Sequence, residues 1–124
     1  MKTWTLRVEL KKIFKTLTTN VYYEGNQDPA VYPRLVFENS EVSSSDSKTL
    51  IQLEVNIFDY GTSTRVIEDL ADTVQATLNK YYFINSEIQF VVYKGLRQKV
   101  EEDDKLIIRR RLLFEIQLHE MRGE

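Results

Sequence analysis

Hydrophobic and polar positions change their spacing along this chain, and the changes mark out its elements. Between Leu50 and Phe58, Ile51, Leu53, Val55 and Ile57 alternate with Gln52, Glu54 and Asn56. A period of two predicts a strand with one buried face and one wet face. Residues 59–63 (Asp-Tyr-Gly-Thr-Ser) interrupt it. From Thr64 to Lys80 the spacing becomes helical, with Ile67, Leu70, Ala71, Val74 and Leu78 in one stripe. A half-buried strand followed by an amphipathic helix implies that the helix lies across that strand's sheet.

The remaining segments complete this layer pair. Residues 3–19 predict a first helix, with Leu6, Leu10, Ile13, Phe14 and Leu17 inward and Arg7, Glu9, Lys11, Lys12 and Lys15 on a solvated face. Trp4 stands at its start. Val21-Tyr22-Tyr23 reads as a short strand, and residues 25–29 as a turn. Pro33 pushes Tyr32 toward extended geometry and opens a strand over 34–38, with Leu35 and Phe37 on one side. Residues 39–48 hold five serines, two acids and one apolar residue, Val42, and predict the flexible loop of a long hairpin.

After the second helix, Tyr81-Tyr82-Phe83-Ile84 is an aromatic exit expected to close the bottom of the core. Ile88, Phe90 and Val92 predict a strand that Gly95 ends, and 94–105 a charged hairpin connection. Residues 106–118 predict a long strand. Ile108, Leu112, Phe114, Ile116 and Leu118 take one face; Arg109, Arg111, Leu113, Glu115 and Gln117 take the other. Residues 119–124 read as a frayed tail. The expected fold is α+β: a single, mostly antiparallel sheet of about five strands with two helices packed on one face, in the order α-β-β-β-α-β-β. Residues 1–124 are expected to form one domain.

Charge and composition narrow the partners. The 124 residues carry a net charge of −2, which disfavours a general nucleic-acid binder. There is no cysteine, so disulfides and thiol catalysis are excluded. No apolar run approaches the roughly 20 residues that span a bilayer, so no membrane partner is expected. The first residues lack the apolar core of a secretion signal, which points to synthesis in a cytoplasm.

Candidate chemistry is sparse. His119 is the one histidine, and the four glycines are too scattered to cradle a phosphate. Glu68, Asp69 and Asp72 resemble a metal triad, but their place near a helix start suits the macrodipole instead. The acids 101–104 lack the spacing and glycine of a calcium loop. In Arg109-Arg110-Arg111, alternation places Arg109 and Arg111 on the wet face and Arg110 at the rim of the apolar one. Such a hairpin, near-neutral with its acids, suits contacts between subunits better than phosphate tracking. The wet face also carries Val36, Phe58, Val91, Tyr93, Ile107 and Leu113. An apolar surface of that size marks a protein contact.

In order and texture the chain resembles the small tail terminator or tail completion (head–tail joining) proteins of long-tailed bacteriophages. The resemblance runs from about Leu6 to Leu118. It rests on the N-terminal helix, Val21-Tyr22, and Tyr32-Pro33-Arg34-Leu35-Val36. It continues through the polar loop, Val55-Asn56-Ile57-Phe58-Asp59, the helix to Leu78 and the hairpin ending in Arg109-Arg110-Arg111-Leu-Leu-Phe. No single motif in that series is specific to the family.

The resemblance implies a structural virion protein rather than an enzyme, with no cofactor and no catalytic or metal-binding residue. It implies self-assembly as a ring, typically a hexamer, that caps the tail tube and docks the head connector. DNA would meet it only by passing through the ring, at the tail–head junction of a virion assembled in a bacterial host. The residues expected to make protein contacts are Ser44, Asp46, Phe58, Tyr93, Arg97, Glu102, Asp103, Arg109 and Arg111. Two other readings remain: another neck or minor capsid component such as a head-closure protein, and a generic α+β ligand-binding module or enzyme dependent on Glu68, Asp72 or His119.

Overall fold

The computed structural model describes residues 2–24, 31–45 and 47–121. The elements are α1 (Lys2–Leu17), β1 (Val21–Tyr23), β2 (Arg34–Ser44), β3 (Lys48–Tyr60), α2 (Arg65–Leu78), β4 (Tyr82–Ile84), β5 (Ile88–Val100) and β6 (Ile107–Glu120). The expected turn at 25–29, Asp46 and the tail residues 122–124 lie outside the described residues.

The strands form one sheet in the order β1-β2-β3-β6-β5-β4. Four long strands make its body, and every pairing among them is antiparallel. β1 is parallel to β2 and β4 is antiparallel to β5, so the sheet is mixed. The core forms where the alternating face of each strand meets the helical stripes. Ile51, Leu53, Val55 and Ile57 of β3 face it beside Leu112, Phe114, Ile116 and Leu118 of β6. Ile67, Ala71, Val74 and Leu78 press down from α2, and Leu6, Leu10, Ile13 and Phe14 from α1. α2 lies over β6, β3 and β5, whereas α1 reaches from β5 to the β1 edge beside α2. Phe14 meets Phe37 of β2 with ring centroids 4.9 Å apart. At the other end of α1, the Thr5 hydroxyl donates to Glu87 at 3.0 Å.

Residues 119–120, expected in a frayed tail, instead complete β6, where His119 pairs with Lys48 and Glu120 with Ile88 because both neighbouring strands extend that far. Three further element limits differ from the sequence expectation. The aromatic exit contains a sixth strand, β4, whose Phe83 turns inward onto Phe90 at 5.3 Å while Tyr82 and Ile84 face out. Three residues are too few for alternation to stand out within an aromatic run. The serine-rich stretch is mostly strand. β2 continues to Ser44 because its backbone stays paired with β3, although its side chains are exposed. A shift between Glu41 and Ser43 absorbs Val42 as a bulge.

The third difference positions the site. Gly95 does not end β5. The strand runs on to Val100 through a second bulge, between Lys94 and Arg97. A Cβ at Gly95 would lie 2.8 Å from the Leu113 carbonyl oxygen, so the close approach of β5 to β6 there requires glycine. The bulge also reverses the alternation. Lys94 pairs with Phe114 and Arg97 with Leu112, which carries Arg97 to the helix side of the sheet.

Candidate functional site

Two polar clusters flank the sheet, and together they hold five of the nine expected contact residues. On the helix side, Arg97 sits under α2. Its guanidinium donates to Asp72 Oδ1 at 2.6 Å, Glu68 Oε1 at 2.9 Å and Gln75 Oε1 at 3.2 Å. Arg110, only 8% exposed, donates its Nε–H to the same Glu68 oxygen at 2.9 Å. The spacing of Glu68, Asp72 and Gln75 along α2 turns all three toward the strands, one turn apart. The Arg97 hydrogen bond is the main cause holding the Glu68 carboxyl below its ordinary range. Burial opposes it, and Arg110 reinforces it. The Asp72 hydrogen bond likewise raises Arg97 further, against the pull of burial. Glu68 and Asp72 are thus partners of arginines, whereas Asp69 lies exposed on α2. Among the described residues no three His, Cys, Asp or Glu side chains converge as metal ligands.

On the opposite face, Arg109 and Arg111 stand on β6 as alternation requires. Arg109 donates to Asn56 at 3.0 Å and to Glu102 at 3.1 Å. Arg111 donates to Glu54 and to Gln98, each at 3.1 Å. Asn56 closes the chain by donating to Glu54 at 2.8 Å. Burial alone would push the Glu54 carboxyl up. The Arg111 and Asn56 hydrogen bonds, with the charges of Arg111 and Arg109, outweigh burial and hold it below the ordinary value. Phe58 is half-buried here, with Arg34 and Arg109 guanidinium carbons 4.9 and 5.4 Å from its ring centroid. Its flat face is therefore largely taken by cations of the same chain.

The other expected residues are more open. Ser44 ends β2 exposed, Asp103 lies exposed in the turn between β5 and β6, and Tyr93 is 39% exposed on β5. Asp46 is outside the described residues. Of the remaining apolar wet-face residues, Val36, Val91, Ile107 and Leu113 are half-buried.

The structure adds residues that alternation alone misses. Val42 and Leu96, each at a bulge, are 64% and 49% exposed. With Leu50 and Leu113 they line an open groove of about 350 Å³, rimmed by Gln52 and Glu115. The available signal for Leu96 was Gly95 beside it; nothing in the sequence marks Val42 as a bulge.

The architecture has a counterpart among solved structures. A chain in the virion of a native gene transfer agent particle shares this fold. The two superpose with a TM-score of 0.70 at 12% identity, covering 93% of this chain and 90% of that one. No family model and no curated protein matches the sequence. At this identity the likeness is one of fold. No helix of the described residues is long and apolar enough to cross a membrane.

Proposed function

We propose that this chain is a structural virion protein of a tailed phage or phage-like particle. In this reading it acts as a single non-catalytic domain, self-assembles as a ring, caps the tail tube and joins it to the head connector. The observation that carries the reading is the near full-length fold shared with a chain of a gene transfer agent virion. The polar groups are in keeping with it. Glu54, Glu68, Asp72, Glu102 and the four arginines 97 and 109–111 are engaged with one another across both faces of the sheet. Such internal pairing stiffens a platform and leaves no free acid–base pair among these groups.

Within this role the residues divide by exposure. Ser44, Tyr93 and Asp103 are outward and meet neighbours directly, with Asp46 two residues after Ser44 in sequence. Arg97, Glu102, Arg109 and Arg111 hold the platform from which they project, and Phe58 is clasped within it. The deciding experiment is deletion of the gene from a producing particle, followed by electron microscopy. Tails of uncontrolled length are expected. Full-length tails without heads would replace this reading with a head-closure role, and normal particles would remove it.

A further inference from the structure

Among the described residues, strands cover each edge of the sheet over one half only, and the covered halves lie at opposite ends. On the β2 edge, β1 pairs with residues 35–37. Glu24 extends the cover by donating to the Phe37 carbonyl, and the Tyr23 hydroxyl accepts from the Asn39 N–H. Beyond that, from Ser40 to Ser44, no described strand pairs with the outer side of β2. On the far edge, β4 pairs with residues 89–91 of β5. Lys80 and Tyr81 bond Val92, and Asn79 accepts from the Lys94 N–H. From Gly95 to Val100 no described strand pairs with the outer side of β5.

Through the register of β3 and β6, the bare half of β5 lies level with the half of β2 that β1 covers. The bare half of β2 lies level with the part of β5 that β4 covers. Each edge is therefore a step, and the two steps are complementary. A second copy displaced along the strands by about five residues, roughly 17 Å, brings its bare β5 half against the bare β2 half of the first. β1 of one copy and β4 of the other then fall on either side of the junction along the strand direction. β2 and β5 run in opposite directions within the sheet. The junction is thus antiparallel and repeats the pairing inside each copy.

The chemistry of the bare halves is matched as well. The β2 segment and its approach carry Glu38 and Glu41; the β5 segment and its approach carry Lys94 and Lys99. Edge bulges ordinarily turn a strand away from further pairing. Here each bulge instead presents an exposed aliphatic residue, Val42 on β2 and Leu96 on β5. Both line the same groove with Leu50 and Leu113. The groove thus spans the sheet from one bare edge to the other and would continue into the next copy.

We infer that copies of this chain join head to tail, the bare half of β2 (40–44) in one copy pairing with the bare half of β5 (95–100) in the next. Because the two patches differ, the contact is heterologous and propagates around a ring. The stagger at each junction tilts the strands to the ring axis, as closure of any sheet requires. The inference rests on the ring-forming reading above and adds to it the surfaces that mate.

The chain has no cysteine, so engineered thiols report without background. In Glu41→Cys/Lys99→Cys, a short bis-maleimide is expected to give a ladder of covalent multimers, with each single-cysteine variant giving none above dimer. Glu41→Lys is expected to weaken self-association by about fivefold per junction, the scale of one cross-strand charge pair. Glu41→Lys/Lys99→Glu should restore it, with circular dichroism confirming that each variant folds. Light scattering on the unmodified chain separates the two claims. Multimers with no double-cysteine ladder and no charge-swap rescue would overturn the edge junction while leaving ring formation standing. Monomers at every concentration, alone and with the tail-tube protein, would overturn both.

Discussion

Gly95 shows how much one missing side chain can set. Its backbone passes so close to the Leu113 carbonyl that a methyl group would sit at 2.8 Å from the oxygen. Gly95→Ala is expected to cost about 1–3 kcal/mol in chemical denaturation, because β5 must move off β6 to admit the new atom. The same bulge delivers Arg97 to α2, where Glu68 serves two arginines at once. Glu68→Ala leaves the buried Arg110 without its carboxylate and should cost about 1–3 kcal/mol. Arg110→Leu should cost less, since Glu68 retains Arg97 and the replacement suits an apolar neighbourhood. Urea titrations of the three variants check this order.

Among the elements, legibility followed the depth of burial. β3, α2 and the inward face of β6 were readable because each packs one stripe against the core, and packing imposes a strict period. Every residue of the α1 and α2 stripes is buried or packed against the core, including Leu17 and Leu70 at its margin. The distal half of β2 was unreadable for the converse reason. Its serines bury nothing, and what keeps it extended is main-chain pairing with β3, which leaves no mark on side-chain pattern. The contrast is testable on α2. Leu78→Ala, fully buried, should cost about 2–5 kcal/mol. Val66→Ala, half exposed one residue before the stripe begins, should stay within about 0.5 kcal/mol.

For the whole molecule, the paired carboxylates Glu54 and Glu68 contribute to the response to acid. Glu54 and Glu68 both have native pKa values below the ordinary 4.5, so the folded chain holds their charge to lower pH than the unfolded chain does. Their contribution is complete above about pH 4.5 and is lost as pH falls through the lowered native values. Melting temperature is therefore expected to be insensitive to these groups near neutrality and to fall below about pH 4.5. In Glu54→Gln/Glu68→Gln the starting stability should be lower and the acid slope shallower, measured by calorimetry across that range.

The sequence by itself determined the α+β class, the two amphipathic helices, most residues of the core and the opposite facing of Arg110 from Arg109 and Arg111. These follow from local periodicity, which burial enforces residue by residue. Only the tertiary structure decided the strand order, the parallel placement of β1 and the sixth strand. It alone moved Arg97 to the helix side and, among the described residues, left opposite halves of the sheet's two edges without a strand partner. Those features depend on which backbones meet across many residues of sequence and where a bulge slips the register. A chain's own alternation carries no record of its neighbour's.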